Sequence, residues 1–115
     1  MAKKRLGILL SGRGSNFMAI ADNIAAGRID AEIAVVISNR AAAAGIDEAR
    51  RRGLDARVIP SKGLEREAYD RQVVAVLKER QVDLVCLTGF MRLISPYFVS
   101  EFPEDRKSTR LNSSH

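Results

Sequence analysis

The sequence is poor in residues that several function classes need. Cys86 is its only cysteine, which excludes an internal disulfide framework and suits a reducing compartment. Set in an apolar run, Cys86 reads as an inert core thiol. Aromatic residues make up only 5% of the chain, and no recognised nucleic-acid module appears, so no nucleic-acid partner is expected. No apolar stretch approaches the roughly 18 residues of a spanning helix, which argues against a membrane partner. The basic start MAKKR followed by LGILLS looks like the opening of a leader. That apolar run is short, however, and a glycine-rich loop follows it, so it reads as a strand and a cytoplasmic location is expected. The Walker phosphate loop G-x-x-x-x-G-K-[ST] is absent. The only histidine is His115, at the very end, and no metal site is expected. Internal repeats and low-complexity segments are likewise missing.

What is present is an ordinary globular mix, 46% hydrophobic and 29% charged over 115 residues, enough for one domain with a buried core. The formal charge is +5. Lys3, Lys4 and Arg5 precede the first apolar run, and Arg50, Arg51 and Arg52 fall on a helical stretch. These basic groups read first as solvated faces. Their functional reading is a field that draws in an anionic small molecule.

Strand and helix patterns alternate along the chain. Residues 6–11 (LGILLS) read as a buried strand. Residues 16–26 read as a helix with Phe17, Ile20 and Ile24 on one face and Gly27 just past its end. The β-branched run EIAVVIS, 32–38, predicts a second buried strand. A helix over 43–52 stops at Gly53, and ARVIP, 56–60, predicts a short third strand. Residues 65–80 carry the clearest helical stripe, through Tyr69, Val73, Val76 and Leu77. DLVCLT, 83–88, predicts a fourth strand. Strands that are apolar continuously rather than alternately need helices on both faces. The fold class is therefore α/β, an open doubly wound (Rossmann-like), mostly parallel sheet, truncated after about four strands. In such sheets ligands bind beyond the carboxyl ends of the strands. The loops SGRGSN, SNRAAAAG and TGFMR fall there.

The first of these loops has the chemistry of an anion cradle. Gly12 and Gly14 permit positive φ and close backbone approach. Successive N–H groups in such a turn form a concave nest, and the helix starting near Asn16 adds its unpaired amides and positive end. Ser15 can cap that helix or donate to a phosphate oxygen, and Asn16 can donate through its amide. A dinucleotide fingerprint is incomplete, because its third glycine position holds Phe17 and no acidic residue follows the second strand. Arg40 stands there instead, which keeps an NADP-binding module open as an alternative to a single phosphate. A plain tight turn is the remaining reading.

Four segments, GILLSGRGSNFMAI, VVISNRAAAAGIDEARRRGL, EREAYDRQV and LTGFMRLISPYFV, resemble in order and spacing the glycinamide ribonucleotide formyltransferases. The resemblance runs from residue 5 to about 102. SGxGSN and GFMRxxSPxF are its most specific parts. It implies a folate-dependent enzyme of purine synthesis that uses 10-formyltetrahydrofolate as co-substrate and binds small molecules, the ribonucleotide and the folate. It implies that Gly14, Ser15 and Asn16 hold the ribonucleotide phosphate. It further implies that Met91, Arg92, Leu93 and Ile94 line the folate pocket and that Arg66 contacts the folate.

Formyl transfer also needs donors for a tetrahedral oxyanion and a base for the amine proton. In the family these are an Asn and a His of an N-x-H-P-S segment and a later Asp. None of these motif positions is found in this sequence. Residues 1–103 are accordingly expected to be the N-terminal part of the catalytic domain, inactive as it stands. After Pro103 the composition shifts to EDRKSTRLNSSH. Residues 104–115 are expected to be a disordered tail, and they resemble a translated adapter sequence rather than the family. LNSSH superficially echoes the missing motif. Yet Asn112 and His115 are spaced to fall on opposite faces of a strand, so neither is expected to be catalytic. A non-catalytic phosphate-ligand binding domain is a third reading of the chain.

Overall fold

The computed structural model describes residues 4–12, 15–60, 63–88 and Phe98. Four strands and three helices alternate: β1 (Lys4–Leu10), α1 (Ser15–Ala25), β2 (Ala31–Ser38), α2 (Ala44–Arg51), β3 (Ala56–Val58), α3 (Arg66–Glu79) and β4 (Leu84–Leu87). Every predicted element is present, with ends that differ from expectation by at most two residues. The strands form one parallel sheet in the order β3-β2-β1-β4. β1 lies between β2 and β4, pairing Leu10 with Ser38 on one side and Leu9 with Leu87 on the other. From β1 the chain steps outward to β2 and β3, then crosses back to place β4 on the far side of β1. The reversal makes a topological switch point at the carboxyl ends of β1 and β4.

Both faces of the sheet are covered, which explains why its strands lack polar alternation. On one face Leu6, Ile8, Leu10, Val36 and Cys86 pack with Phe17 and Ala21 of α1 and Ile46 and Ala49 of α2. On the other, Leu9, Val35, Ile37, Val85 and Leu87 pack with Tyr69, Val73, Val74 and Leu77 of α3. Cys86 is buried on the face covered by α1 and α2. The pairing of β1 with β2 slips by one residue, from Leu6↔Ile33 to Gly7↔Val35. Side chains alternate along a strand, so one extra residue reverses the parity that follows. This is why Ile33 and Val36, three residues apart, both pack toward α1 and α2.

α3 approaches β1 closely at Gly7. A β-carbon built there would lie 2.6 Å from Leu77 Cδ2 and 3.1 Å from Val82 Cγ1. Leu77 is itself fully buried, so it has little room to yield.

The basic residues are largely structural at the amino edge. β1 begins at Lys4, so Lys4 and Arg5 belong to the strand rather than preceding it. The Arg5 guanidinium donates to the Arg80 carbonyl at 2.8 Å and 3.0 Å and to Glu32 at 3.0 Å. The Arg5 amide donates to the Asp83 carboxylate, and the Asp83 amide returns a bond to the Arg5 carbonyl. This ties the start of β1 to the end of α3 and the approach to β4. At the end of α2, Arg51 and the capping residue Arg52 pair with Glu48, and Arg52 also reaches Asp22 of α1. Hydrogen bonding to Asp22, with support from Glu48, holds the Arg52 guanidinium above its ordinary pKa despite partial desolvation. Arg57 is raised in the same way by its hydrogen bond to Asp55. Among the described residues no helix is long and apolar enough to cross a membrane.

Candidate anion-binding crevice

The carboxyl ends of β1 and β2 are joined by side chains. Ser11, buried just past β1, donates through Oγ to Asn39 Oδ1 at 2.7 Å. Ser38, fully buried at the end of β2, accepts from the Arg40 amide and donates to the Arg40 carbonyl, each at 3.0 Å. That two-way bond sets the turn in which β2 gives way to the approach to α2. The Gly12 carbonyl accepts from the Gly45 amide at 3.0 Å, which draws the loop after β1 against the start of α2. On the β4 side, Thr88 is buried, and its amide and hydroxyl both donate to the Leu9 carbonyl, at 2.9 Å and 3.3 Å. Hydrogen bonds thus anchor the exits of β1, β2 and β4 to neighbouring elements, a rigid floor beneath the loops that follow.

α1 begins at Ser15, one residue earlier than expected. Ser15 is therefore the first helical residue rather than the cap. The amides of Ser15, Asn16 and Phe17 make up the first turn, where backbone N–H groups have no intrahelical partner. Asn16 is exposed in that turn. Phe17 is fully buried against β1 and β2, filling the place where the dinucleotide fingerprint needs a glycine for close packing. That packing does not favour the NADP reading.

A cavity of about 280 Å³ opens beside this loop, lined by Ser11, Gly12, Arg40, Ala42, Ala43 and Ala44. Among the described residues its charged lining group is Arg40. A second, more apolar hollow of about 320 Å³ lies between α1, the start of β2 and the residues just past α2, lined in part by Ile24, Ile33 and Leu54. It adjoins the amino end of β2, at the opposite end of the sheet from the loops, and has no part in the crevice.

Arg66 opens α3 and is exposed. In a parallel sheet each crossover helix starts at the carboxyl end, so Arg66 sits at the same end as Asn16, on the opposite face. Gly14, the Ser15 hydroxyl, Met91, Arg92, Leu93 and Ile94 lie outside the described residues, as do Asn112, His115 and the tail 104–115. Sequence reasoning missed Ser11, Asn39 and Thr88. Ser11 and Asn39 both stand one residue beyond strand ends, a position that marks polar residues as loop anchors in this type of sheet.

Residues 4–106 match the family described as Formyl transferase. The chain is 44% identical over 101 residues to the trifunctional purine biosynthetic protein adenosine-3 of Homo sapiens, covering 87% of this chain and 10% of that protein. It is 38% identical over 96 residues to the phosphoribosylglycinamide formyltransferase of Escherichia coli strain K12, covering 83% of this chain and 45% of that one. Among solved structures, glycinamide ribonucleotide transformylase 1 from Symbiobacterium toebii superposes with a TM-score of 0.84 at 43% identity, covering 88% of this chain and 48% of the other. The chain spans less than half the length of each of these proteins.

Proposed function

Because the chain belongs to the formyl transferase family, we propose that it carries the phosphate-binding part of a phosphoribosylglycinamide formyltransferase. The reaction joins the ribonucleotide's glycinamide amine to a formyl carbon. A C–N bond forms, the bond from the formyl carbon to the folate nitrogen breaks, the attacking amine gives up a proton and the departing folate nitrogen takes one up. The donor in this reading is 10-formyltetrahydrofolate, and the setting is purine synthesis in the cytoplasm, with small molecules as the only partners.

The observation that carries the reading is the position of the first turn of α1. It opens at the exit of the central strand, beside the switch point, with Asn16 exposed and the preceding loop drawn against α2 through Gly12. Helix-start amides in that place suit one phosphoryl group. Gly14, Ser15 and Asn16 grip the phosphate in this reading. Arg66, Met91, Arg92, Leu93 and Ile94 hold the folate, whose glutamate carboxylates Arg66 can meet as a cation. The oxyanion donor and the base belong to the N-x-H-P-S and Asp segments of the family, which residues 1–115 lack. The chain is therefore expected to bind without catalysing.

Isothermal titration calorimetry with glycinamide ribonucleotide tests the reading. Binding that is lost in the Ser15→Ala, Asn16→Ala double variant supports it. Binding of NADPH but not of the ribonucleotide overturns it. Formylation of the ribonucleotide above background by the 115-residue chain would refute the expected inactivity.

A further inference from the structure

We infer that Arg40 is a phosphate-selecting residue of the ribonucleotide site, an inference that rests on the function proposed above. The sequence reading considered Arg40 only as a partner for a 2′-phosphate. Its place in the structure gives it a different task.

Four observations converge on it. The cavity that Arg40 lines is also lined by Ser11 and Gly12, so its side chain shares one space with the loop after β1. Its backbone is held on both sides by the fully buried Ser38 hydroxyl, which fixes where the side chain leaves the main chain. Among the described residues the rest of the lining is Ala42, Ala43 and Ala44, none of which bears a carboxylate to compete for the guanidinium. Finally, Arg40 is exposed, and its guanidinium has no hydrogen bond or ion pair among the described residues. Arg5, Arg51, Arg52, Arg57, Arg71 and Arg80 are all engaged by carboxylates. An arginine kept out of ion pairs, on a fixed backbone beside an anion cradle, is placed for bidentate contact with phosphate oxygens. Backbone amides accept many anions. A full positive charge added to them favours a phosphate dianion over a neutral hydroxymethyl group.

Titration of the chain with glycinamide ribonucleotide, and with the same riboside lacking its phosphate, reads this out. Arg40→Gln is expected to weaken the ribonucleotide roughly 10-fold, leave the riboside unchanged, and flatten the fall of ribonucleotide affinity with added salt. Arg50→Gln serves as the charge control, since Arg50 is exposed on α2 outside the cavity lining. It should leave both affinities unchanged. Equal ribonucleotide affinity in wild type and Arg40→Gln overturns the inference, as does an equal loss in Arg50→Gln, which would mean net charge alone. If Asn16→Ala abolishes ribonucleotide binding while Arg40→Gln does not alter it, the inference fails and the proposed function stands. If the wild-type chain binds neither compound, both fail together. Circular dichroism of each variant confirms that the fold is retained, as expected for exposed positions.

Discussion

The Ser11 hydroxyl donates to the Asn39 side-chain carbonyl across 2.7 Å, joining the exit of the central strand to the exit of its neighbour. Neither residue belongs to a strand, and the backbone ladder ends at Leu10↔Ser38. The bond therefore prolongs the strand pairing by one residue through side chains. It ties together the starts of the two loops that border the cavity beside Arg40.

Ser11→Ala removes the donor and is expected to lower stability by about 1 kcal/mol, the usual net value of one hydrogen bond. Urea unfolding of the two single variants and of Ser11→Ala/Asn39→Ala together gives the coupling directly. A coupling of at least roughly 0.5 kcal/mol is expected. Strictly additive losses would mean that the contact contributes nothing of its own.

Gly7→Ala brings a methyl group against Leu77 and Val82, where a β-carbon lies 2.6 Å from Leu77 Cδ2. Overpacking of this sort costs about 1–3 kcal/mol. Gly7→Val should cost more, because its branches have nowhere to go. Thermal unfolding checks the order wild type, Gly7→Ala, Gly7→Val. A Gly7→Ala variant as stable as wild type would show that α3 retreats freely from β1.

Asn16 and Arg66 are both exposed, at the starts of α1 and α3. Their alanine variants should each stay within about 0.5 kcal/mol of wild-type stability, as surface substitutions usually do. Their binding defects should separate. Asn16→Ala weakens the ribonucleotide and spares a folate analogue, while Arg66→Ala does the reverse. Calorimetry with each ligand on each variant decides, and a defect shared equally by both variants contradicts separate subsites.

The Arg52 bridge to Asp22 and Glu48 joins α1 to α2. A cation whose pKa is raised on folding stabilises the fold fully below its unfolded value and loses that contribution only as pH rises through the folded value. For Arg52 both values lie in strongly alkaline solution. The stability difference between wild type and Arg52→Gln should therefore be flat between about pH 6 and 9, and no larger than about 1 kcal/mol for such an exposed pair. It should shrink with added salt. A difference that changes steeply within that pH range would point to a partner other than these carboxylates.

Much of this protein can be read from local pattern. EIAVVIS has to be a strand covered on both sides, and the stripe through Tyr69, Val73 and Leu77 has to be a buried helix face, because period and apolarity are properties of neighbours in the chain. The same is true of the helix that follows two glycines after the first strand. The closer details were not legible. Asp70 and Val74 are buried beside the predicted stripe, because α3 packs against β1, β4 and Phe98. Ser15 falls inside α1 rather than capping it, a matter of one residue of winding.

The residues alone determined the alternation of strands and helices and the two covered faces, since each depends on side chains a few positions apart. The tertiary structure decided the strand order β3-β2-β1-β4, the slipped register at Ala34, the close approach at Gly7 and the meeting of Arg40 with Gly12 in one cavity. These depend on pairings between segments distant along the chain, and which distant surfaces fit together is settled by packing volume and backbone hydrogen bonding, quantities that no local period contains.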